Sequence, residues 1–140
     1  KIPNIVGVKD ATNDLARPFH TRATCGKDFA QMSGEDATIL AFLAGGGDGC
    51  ISVTGNVAPR LCSTMHIAWQ EGRIKDALAI QDRMMPLHDA LFSETSPGPV
   101  KYAASLLGLT AETVRLPLAP PGEGTRARVR EAMTNAGLLN

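Results

Sequence analysis

The sequence predicts an α/β fold in which short parallel strands alternate with helices. Three short apolar runs occur before residue 54, and each is followed by a polar loop and the start of a helix. This repeat is typical of a parallel sheet, because parallel strands are joined by helical crossovers. After residue 72 the apolar residues recur only at helical spacing. The 140 residues are 44% hydrophobic and 20% charged, which is the composition of a globular protein.

The three predicted strands are apolar runs that end abruptly at polar residues. The first covers residues 5–8 and ends at Lys9, the second lies near residues 29–32, and the third covers residues 50–53. Strands joined by helical crossovers are covered by helices, which accounts for their apolar content. We therefore expect these strands to be buried on both faces.

Each predicted strand leads into a helix with a recognisable start. Asp14 is placed to cap the first helix, whose first turn accepts Pro18 because early N–H groups have no intrahelical partner. Asp36 is placed to cap a second helix over residues 37–44. A third helix is predicted over residues 59–71 and ends at a glycine.

The remainder of the chain is predicted to be helical. Apolar residues at helical spacing favour a helix over residues 73–92, which Pro86 should kink or break because it cannot donate the usual backbone bond. Two further helices are predicted over residues 99–107 and 125–136, each ending at a glycine. The loop between them is rich in proline.

These elements divide the chain into βα units over residues 1–72 and a helical region over residues 73–140. Three βα units cannot close a (β/α)8 barrel, which takes eight strands and about 250 residues. A sheet left open would keep two uncovered edge strands. The pattern fits either an open α/β domain or a part of a larger barrel, and we favour the second. Alone, such a part should be inactive and prone to aggregate.

Charge and composition exclude several classes of function. Lys plus Arg and Asp plus Glu both number 14, so no basic excess indicates nucleic acid or an anionic membrane. No apolar run approaches the roughly 20 residues of a membrane span. The three cysteines form no Cys-x-x-Cys pair and the three histidines show no ligand spacing. Reduced thiols, a cytoplasmic location, and neither metal nor cofactor are the simplest expectations.

Lys9 is the strongest candidate nucleophile. It follows an apolar strand, and in parallel α/β folds the functional face lies at the carboxyl ends of the strands. An amine beside apolar walls is more readily uncharged and can then attack a carbonyl. The alternative is a lysine that marks the end of the strand and extends to water. Spacing alone favours this alternative.

Two glycine-containing segments are candidate ligand sites. Gly34, after the second strand, would let the backbone approach a ligand, with the next helix start offering N–H groups; a simple helix start is the alternative. Glu35 and Asp36 would repel an anion unless they turn away or are hydrogen-bonded, so they are interpreted as supports. The glycines at 45–47 precede a strand and lack the Gly-Lys-Ser/Thr ending, so they favour a tight turn over a phosphate loop.

A family resemblance runs through the chain in collinear order. Residues 4–12, 32–36, 47–59 and 96–103 resemble the dihydrodipicolinate synthase and N-acetylneuraminate lyase superfamily, and most closely its synthase branch. The resemblance implies strands six to eight of a (β/α)8 TIM barrel, followed by C-terminal helices. A complementary N-terminal half would supply strands one to five, and the assembly would be a cytoplasmic homotetramer.

The same resemblance implies a chemistry and the residues that perform it. The activity would be a lyase reaction, the condensation of pyruvate with L-aspartate 4-semialdehyde to 4-hydroxy-tetrahydrodipicolinate, which enters lysine and diaminopimelate biosynthesis. Lys9 would form a Schiff base with pyruvate, and the backbones of Gly34 and Ile51 would face the bound keto acid. The family usually has glycine where Asn13 stands and often asparagine where Ser96 stands. Its proton-relay tyrosines and substrate arginine belong to the N-terminal half.

Three alternatives stay open at this point. A sibling class I aldolase would also use Lys9, but on a 2-keto-3-deoxy sugar acid or a sialic acid. A non-catalytic helical assembly module would account for the long helical region without any imine. A nucleotide-binding α/β domain is a more distant possibility.

Overall fold

A computed structural model describes residues 2–140, which form a parallel sheet with interleaved helices and then a group of helices. The chain divides into two compact units, the first ending at Ser52 and the second covering Val53–Asn140. In chain order the elements are β1 (Gly7–Asp10), α1 (Arg17–Cys25), β2 (Ala30–Ser33), α2 (Ile39–Ala44), β3 (Gly49–Cys50), a 3-10 helix (Thr54–Asn56), α3 (Pro59–Gln70), α4 (Ile74–Leu91), α5 (Gly98–Leu106) and α6 (Glu123–Asn135).

The first unit contains the predicted parallel sheet, with strand order β1-β2-β3. Lys9 pairs in register with Met32, so it lies inside β1 rather than after it. The prediction placed this strand at residues 5–8, two residues too early. The apolar run does not set the bounds of a parallel strand, because the ladder extends wherever the neighbouring backbone supplies partners. The side chain of Val6, before the strand, is 71% exposed.

The sheet has one covered and one open face. On β2, Gln31 and Ser33 are buried, whereas Ala30 is exposed and Met32 is half-buried. The Gln31 amide donates to the carbonyl of Pro18 in α1 at 3.1 Å, so the covered face packs against that helix. Lys9 is exposed on the opposite side. The expectation of burial on both faces is therefore wrong for this chain.

The two predicted aspartate caps are also wrong. The residues before α1 and α2 are Ala16 and Thr38, and neither makes a side-chain capping bond. Asp14 instead accepts a bond from the Ala16 N–H at 2.9 Å, and Asp36 accepts one from the Ser52 hydroxyl. Short polar side chains near a helix start have several such local partners, and sequence alone does not choose among them.

The glycine-rich segment forms the tight turn between α2 and β3, as predicted. A Cβ at Gly47 would lie 2.2 Å from a ring carbon of Phe42, and Gly46 has φ +91°. The glycine at position 47 leaves room for the ring of Phe42, and the glycine at position 46 adopts the left-handed backbone without strain. The segment is thus a close-packed turn.

The second unit is a group of helices around one apolar core. Leu87, Leu91, Val129 and Met133 are fully buried at its centre. Helix α4 continues through Pro86, so the predicted break does not occur. Burial of its neighbours offsets the bond that proline cannot make.

Two polar side chains of this unit have packing roles. His88 is buried, and its Nδ1 lies 2.7 Å from the hydroxyl of Thr54. Tyr102 is buried with the guanidinium of Arg126 over its ring. None of the helices formed by residues 2–140 is long and apolar enough to cross a membrane.

Candidate active site

Lys9 projects from the open face of the sheet near the carboxyl end of β1. It is the third of the four residues of β1, and its neighbour Asp10 is half-buried. Asp10 is bonded to other residues, and among residues 2–140 no carboxylate pairs with the Lys9 amine.

Gly34 lies directly against the side chain of Lys9. A Cβ at position 34 would lie 2.6 Å from Lys9 Cε and 2.8 Å from the Cβ of Ala11. Neither distance is compatible with van der Waals contact, so any side chain here would displace the lysine. The absence of a side chain at Gly34 is what leaves room for the aliphatic part of Lys9.

Ile51 lies at the corresponding end of the third strand, one residue beyond β3. Its N–H donates to the backbone carbonyl of Ser33 at 2.8 Å. The N–H of Gly34 donates to the backbone carbonyl of Asp10 at 2.7 Å. Both bonds continue the parallel ladder past the assigned strands. Each residue can therefore present a carbonyl or its Cα to a ligand, but not its N–H. The Ile51 side chain is 50% exposed.

Asp10 anchors the end of β1. Its carboxylate accepts bonds from the Thr12 hydroxyl at 2.6 Å, the Thr12 N–H at 2.9 Å and the Arg17 guanidinium at 2.9 Å. Burial raises the pKa of this carboxyl, but the bonds from Thr12 and Arg17 outweigh burial and hold the pKa below its ordinary value. Asp10 is thus an ionised structural residue beside the candidate nucleophile.

The acidic pair after Gly34 is hydrogen-bonded within the chain, which is compatible with its interpretation as a support. The Ser33 hydroxyl donates to the Glu35 carbonyl and accepts from its N–H, both at 3.0 Å. Glu35 accepts a long bond of 3.4 Å from Ala37, and Asp36 accepts from Ser52. The Glu35 carboxylate thus bonds a backbone N–H that lies before α2 begins at Ile39.

Sequence reasoning missed the roles of Ser33, Asp10 and Ser52 around the candidate site. Each follows or ends a strand at the same edge of the sheet as Lys9, and that placement was the available signal. Their partners depend on side-chain directions that spacing does not give. Within residues 2–140, no three His, Cys, Asp or Glu side chains are grouped closely enough to hold a metal ion.

Comparison with known proteins identifies the family. Residues 1–136 match the family model described as the Dihydrodipicolinate synthetase family. The chain belongs to this family. A curated relative named 4-hydroxy-tetrahydrodipicolinate synthase, from Gluconacetobacter diazotrophicus, is 66% identical over 137 residues, which are 97% of this chain and 46% of the relative. The chain thus spans about half the length of the curated relatives it matches.

Solved structures of the family agree with the fold. A monomeric dihydrodipicolinate synthase variant is 35% identical with a TM-score of 0.94, over 99% of this chain and 47% of that one. The synthase of Acinetobacter baumannii complexed with pyruvate is 37% identical with a TM-score of 0.91, over 99% and 48%. The chain therefore has the α/β fold of the corresponding part of a dihydrodipicolinate synthase.

Membership of the dihydrodipicolinate synthetase family makes Asn13 informative, because the resemblance expects glycine there. Asn13 has φ 61°, in the left-handed region that glycine enters most easily. Asparagine is among the few other residues that enter it. Its side-chain oxygen accepts a bond from the Thr38 hydroxyl at 3.0 Å. This departure from the family pattern keeps the backbone shape and adds a contact.

Proposed function

We propose that this chain is the nucleophile-bearing part of a class I aldolase that condenses pyruvate with L-aspartate 4-semialdehyde. The product would be 4-hydroxy-tetrahydrodipicolinate, on the route to lysine and diaminopimelate. The curated relatives carry the name of this synthase, at up to 66% identity. This supports the synthase over the sibling aldolases of sugar acids and sialic acid.

The contact between Lys9 and Gly34 is the observation that carries the proposal. An amine on a strand can form an imine only if a carbonyl compound can lie beside it. Gly34 lets Lys9 keep its place at the strand end, because a Cβ at position 34 would lie 2.6 Å from Lys9 Cε and would displace the lysine. Ile51 bounds the same strand ends from β3. The three residues thus supply a nucleophile and two backbone surfaces for a small keto acid.

The proposed chemistry starts at the Lys9 amine. Its nitrogen attacks the ketone carbon of pyruvate, and loss of water gives an imine. The protonated imine draws electrons from the methyl group, which loses a proton to a base from the complementary half. The resulting carbon nucleophile attacks the aldehyde carbon of the second substrate, and the C=O π bond opens to a hydroxyl that takes up a proton as the carbon–carbon bond forms. The amino group of that substrate then displaces Lys9 from the imine, which closes the ring of the product and restores the free lysine.

The rest of the assembly follows from the same proposal. Residues 1–72 would be strands six to eight of a (β/α)8 barrel with their helices, and residues 73–140 the helical region after the barrel. A complementary N-terminal half would close the barrel over the open face that carries Lys9. We propose a cytoplasmic homotetramer by resemblance.

A chimera provides the test. In it, this chain replaces the 137 matched residues of the Gluconacetobacter diazotrophicus relative, so that the remainder of the barrel is supplied. Treating the chimera with pyruvate and borohydride should reduce the imine to a stable adduct that maps to Lys9. Lys9→Arg should abolish the adduct and lower turnover by at least about a thousandfold, because a guanidinium does not form the imine.

Lys101→Arg is the matched control, because Lys101 lies in the second unit and donates to the Thr113 carbonyl. It should leave both the adduct and turnover intact. An adduct that persists in Lys9→Arg would contradict the proposal. A chimera without any adduct would favour the non-catalytic assembly module, and an adduct with faster cleavage of a sugar acid than condensation would favour the sibling aldolase.

A further inference from the structure

We propose that Asp36 and Ser52 form a positioning pair that sets the spacing between the backbones of Gly34 and Ile51. The inference rests on the proposed function, in which those backbones face pyruvate. It assigns to two residues outside the pyruvate contact a role in binding the keto acid.

The pair joins the segments that follow β2 and β3. The Ser52 hydroxyl donates to Asp36 Oδ1. Asp36 lies two residues after Gly34, and Ser52 lies one residue after Ile51. The backbone bond from Ile51 to Ser33, at 2.8 Å, joins the same two segments one residue before Gly34. The two segments are therefore tied before and after Gly34 on one side, and at Ile51 and directly after it on the other.

The burial of Asp36 shows that this bond is built into the fold. Its residue is only 3% exposed, and a carboxylate removed from water costs several kcal/mol unless it is hydrogen-bonded. The residue that precedes α2 is Thr38, so Asp36 lies outside that helix. Its Oδ1 accepts the bond from the segment after β3.

The turn between the two ties is also fixed. The Ser33 hydroxyl bonds both the carbonyl and the N–H of Glu35, which closes the backbone around Gly34. With Ser33 holding the turn and Asp36 holding the next strand end, Gly34 has little freedom to move away from Lys9. Loss of the pair would widen the gap between the two ligand-facing backbones, and weaker pyruvate binding should follow.

The test uses the chimera and four variants: Ser52→Ala and Asp36→Ala, which remove the bond, and Ser52→Thr and Asp36→Asn, which keep a donor and an acceptor. The bond-removing variants should raise the half-saturating pyruvate concentration for the borohydride adduct about tenfold. The rate at saturating pyruvate should fall by less than about threefold, because Lys9 itself is unchanged. The bond-keeping variants should stay within about twofold of the parent.

Titration of the trapped adduct gives the folded, reactive fraction of each variant, so a folding defect is separated from a binding defect. Ser93→Ala is the control, since it removes a part-buried hydroxyl bonded to the Ala90 carbonyl in the second unit. Unchanged half-saturation in the reactive fraction of Ser52→Ala would overturn the inference. So would an equal defect in Asp36→Asn and Asp36→Ala, which would assign the effect to charge rather than to the bond. Absence of an adduct in the parent chimera would instead refute the proposed function.

Discussion

Asn13 shows how one residue can serve a backbone angle and a contact at once. The loop after β1 needs a positive φ at this position, and the side chain at φ 61° reaches Thr38 before α2. Glycine would satisfy the angle alone. Asparagine satisfies it at a small cost and joins the loop after Lys9 to the segment after Gly34. The substitution of the usual family residue is thus compatible with an intact site.

Asn13→Ala should destabilise the chimera, whereas Asn13→Gly should leave its stability nearly unchanged. Alanine loses the bond to Thr38 and adds left-handed strain, together about 1–2 kcal/mol. Glycine also loses the bond but relieves the strain. Thr38→Val removes the same bond without touching the backbone, so it should cost less than Asn13→Ala. Thermal melts of the three variants check this order, and equal melting temperatures for alanine and glycine would show that the angle carries no strain.

At the scale of elements, the sequence predicts which segments are strands and helices better than it predicts where each element ends and which contacts its terminal residues make. Polar residues after apolar runs located β1 and β2 to within two residues, but the predicted third strand at residues 50–53 shares only Cys50 with β3. The pattern still brought Lys9, Gly34 and Ile51 to the carboxyl ends of the strands. The ladder then continues past the apolar runs, so Lys9 lies within β1. The bond from Ser52 to Asp36 joins residues 16 apart, and no sequence periodicity predicts such a contact.

The junction between β1 and α1 should make stability depend on acid pH. Asp10 and Arg17 pair at 2.9 Å, and the pKa of Asp10 is below its ordinary value. A lowered folded pKa stabilises the fold above the unfolded pKa of about 3.9, and this contribution is lost as pH falls through the folded pKa. Asp10→Asn should therefore lower the melting temperature of the chimera at pH 6 by about 2–4 °C.

The difference between Asp10→Asn and the parent should shrink as the pH falls below about 4, because Asp10 is protonated first in the unfolded chain and then, at a lower pH, in the folded one. Melts recorded at several pH values between 6 and 3 measure this convergence. Asp76→Asn is the control, since Asp76 pairs with Arg73 at the exposed start of α4. A gap for Asp10→Asn that stays constant down to pH 3 would assign the effect to shape rather than charge.

For the whole molecule, the two units differ in how their apolar residues are covered. The second unit buries a continuous core across its helices. In the first unit, Ile5 is 55% exposed, Val6 71% and Ile51 50%. These residues lie next to or at the end of strands of a sheet in which β1 is an edge strand. An exposed apolar strand edge is a template for pairing with another chain. The tendency to aggregate should therefore originate in the first unit.

The 140-residue chain without a complementary half should form aggregates and give no pyruvate adduct, and a single charge at the open edge should reduce the aggregation. Val6→Lys places an ammonium beside β1 while leaving the backbone bond from Ala30 to Val6 in place. Leu116→Lys is the matched control, because Leu116 is 92% exposed in the second unit. Light scattering during refolding should fall several-fold for Val6→Lys and little for Leu116→Lys. A monodisperse parent monomer that melts cooperatively would contradict the prediction, because its strand edge would then need no cover.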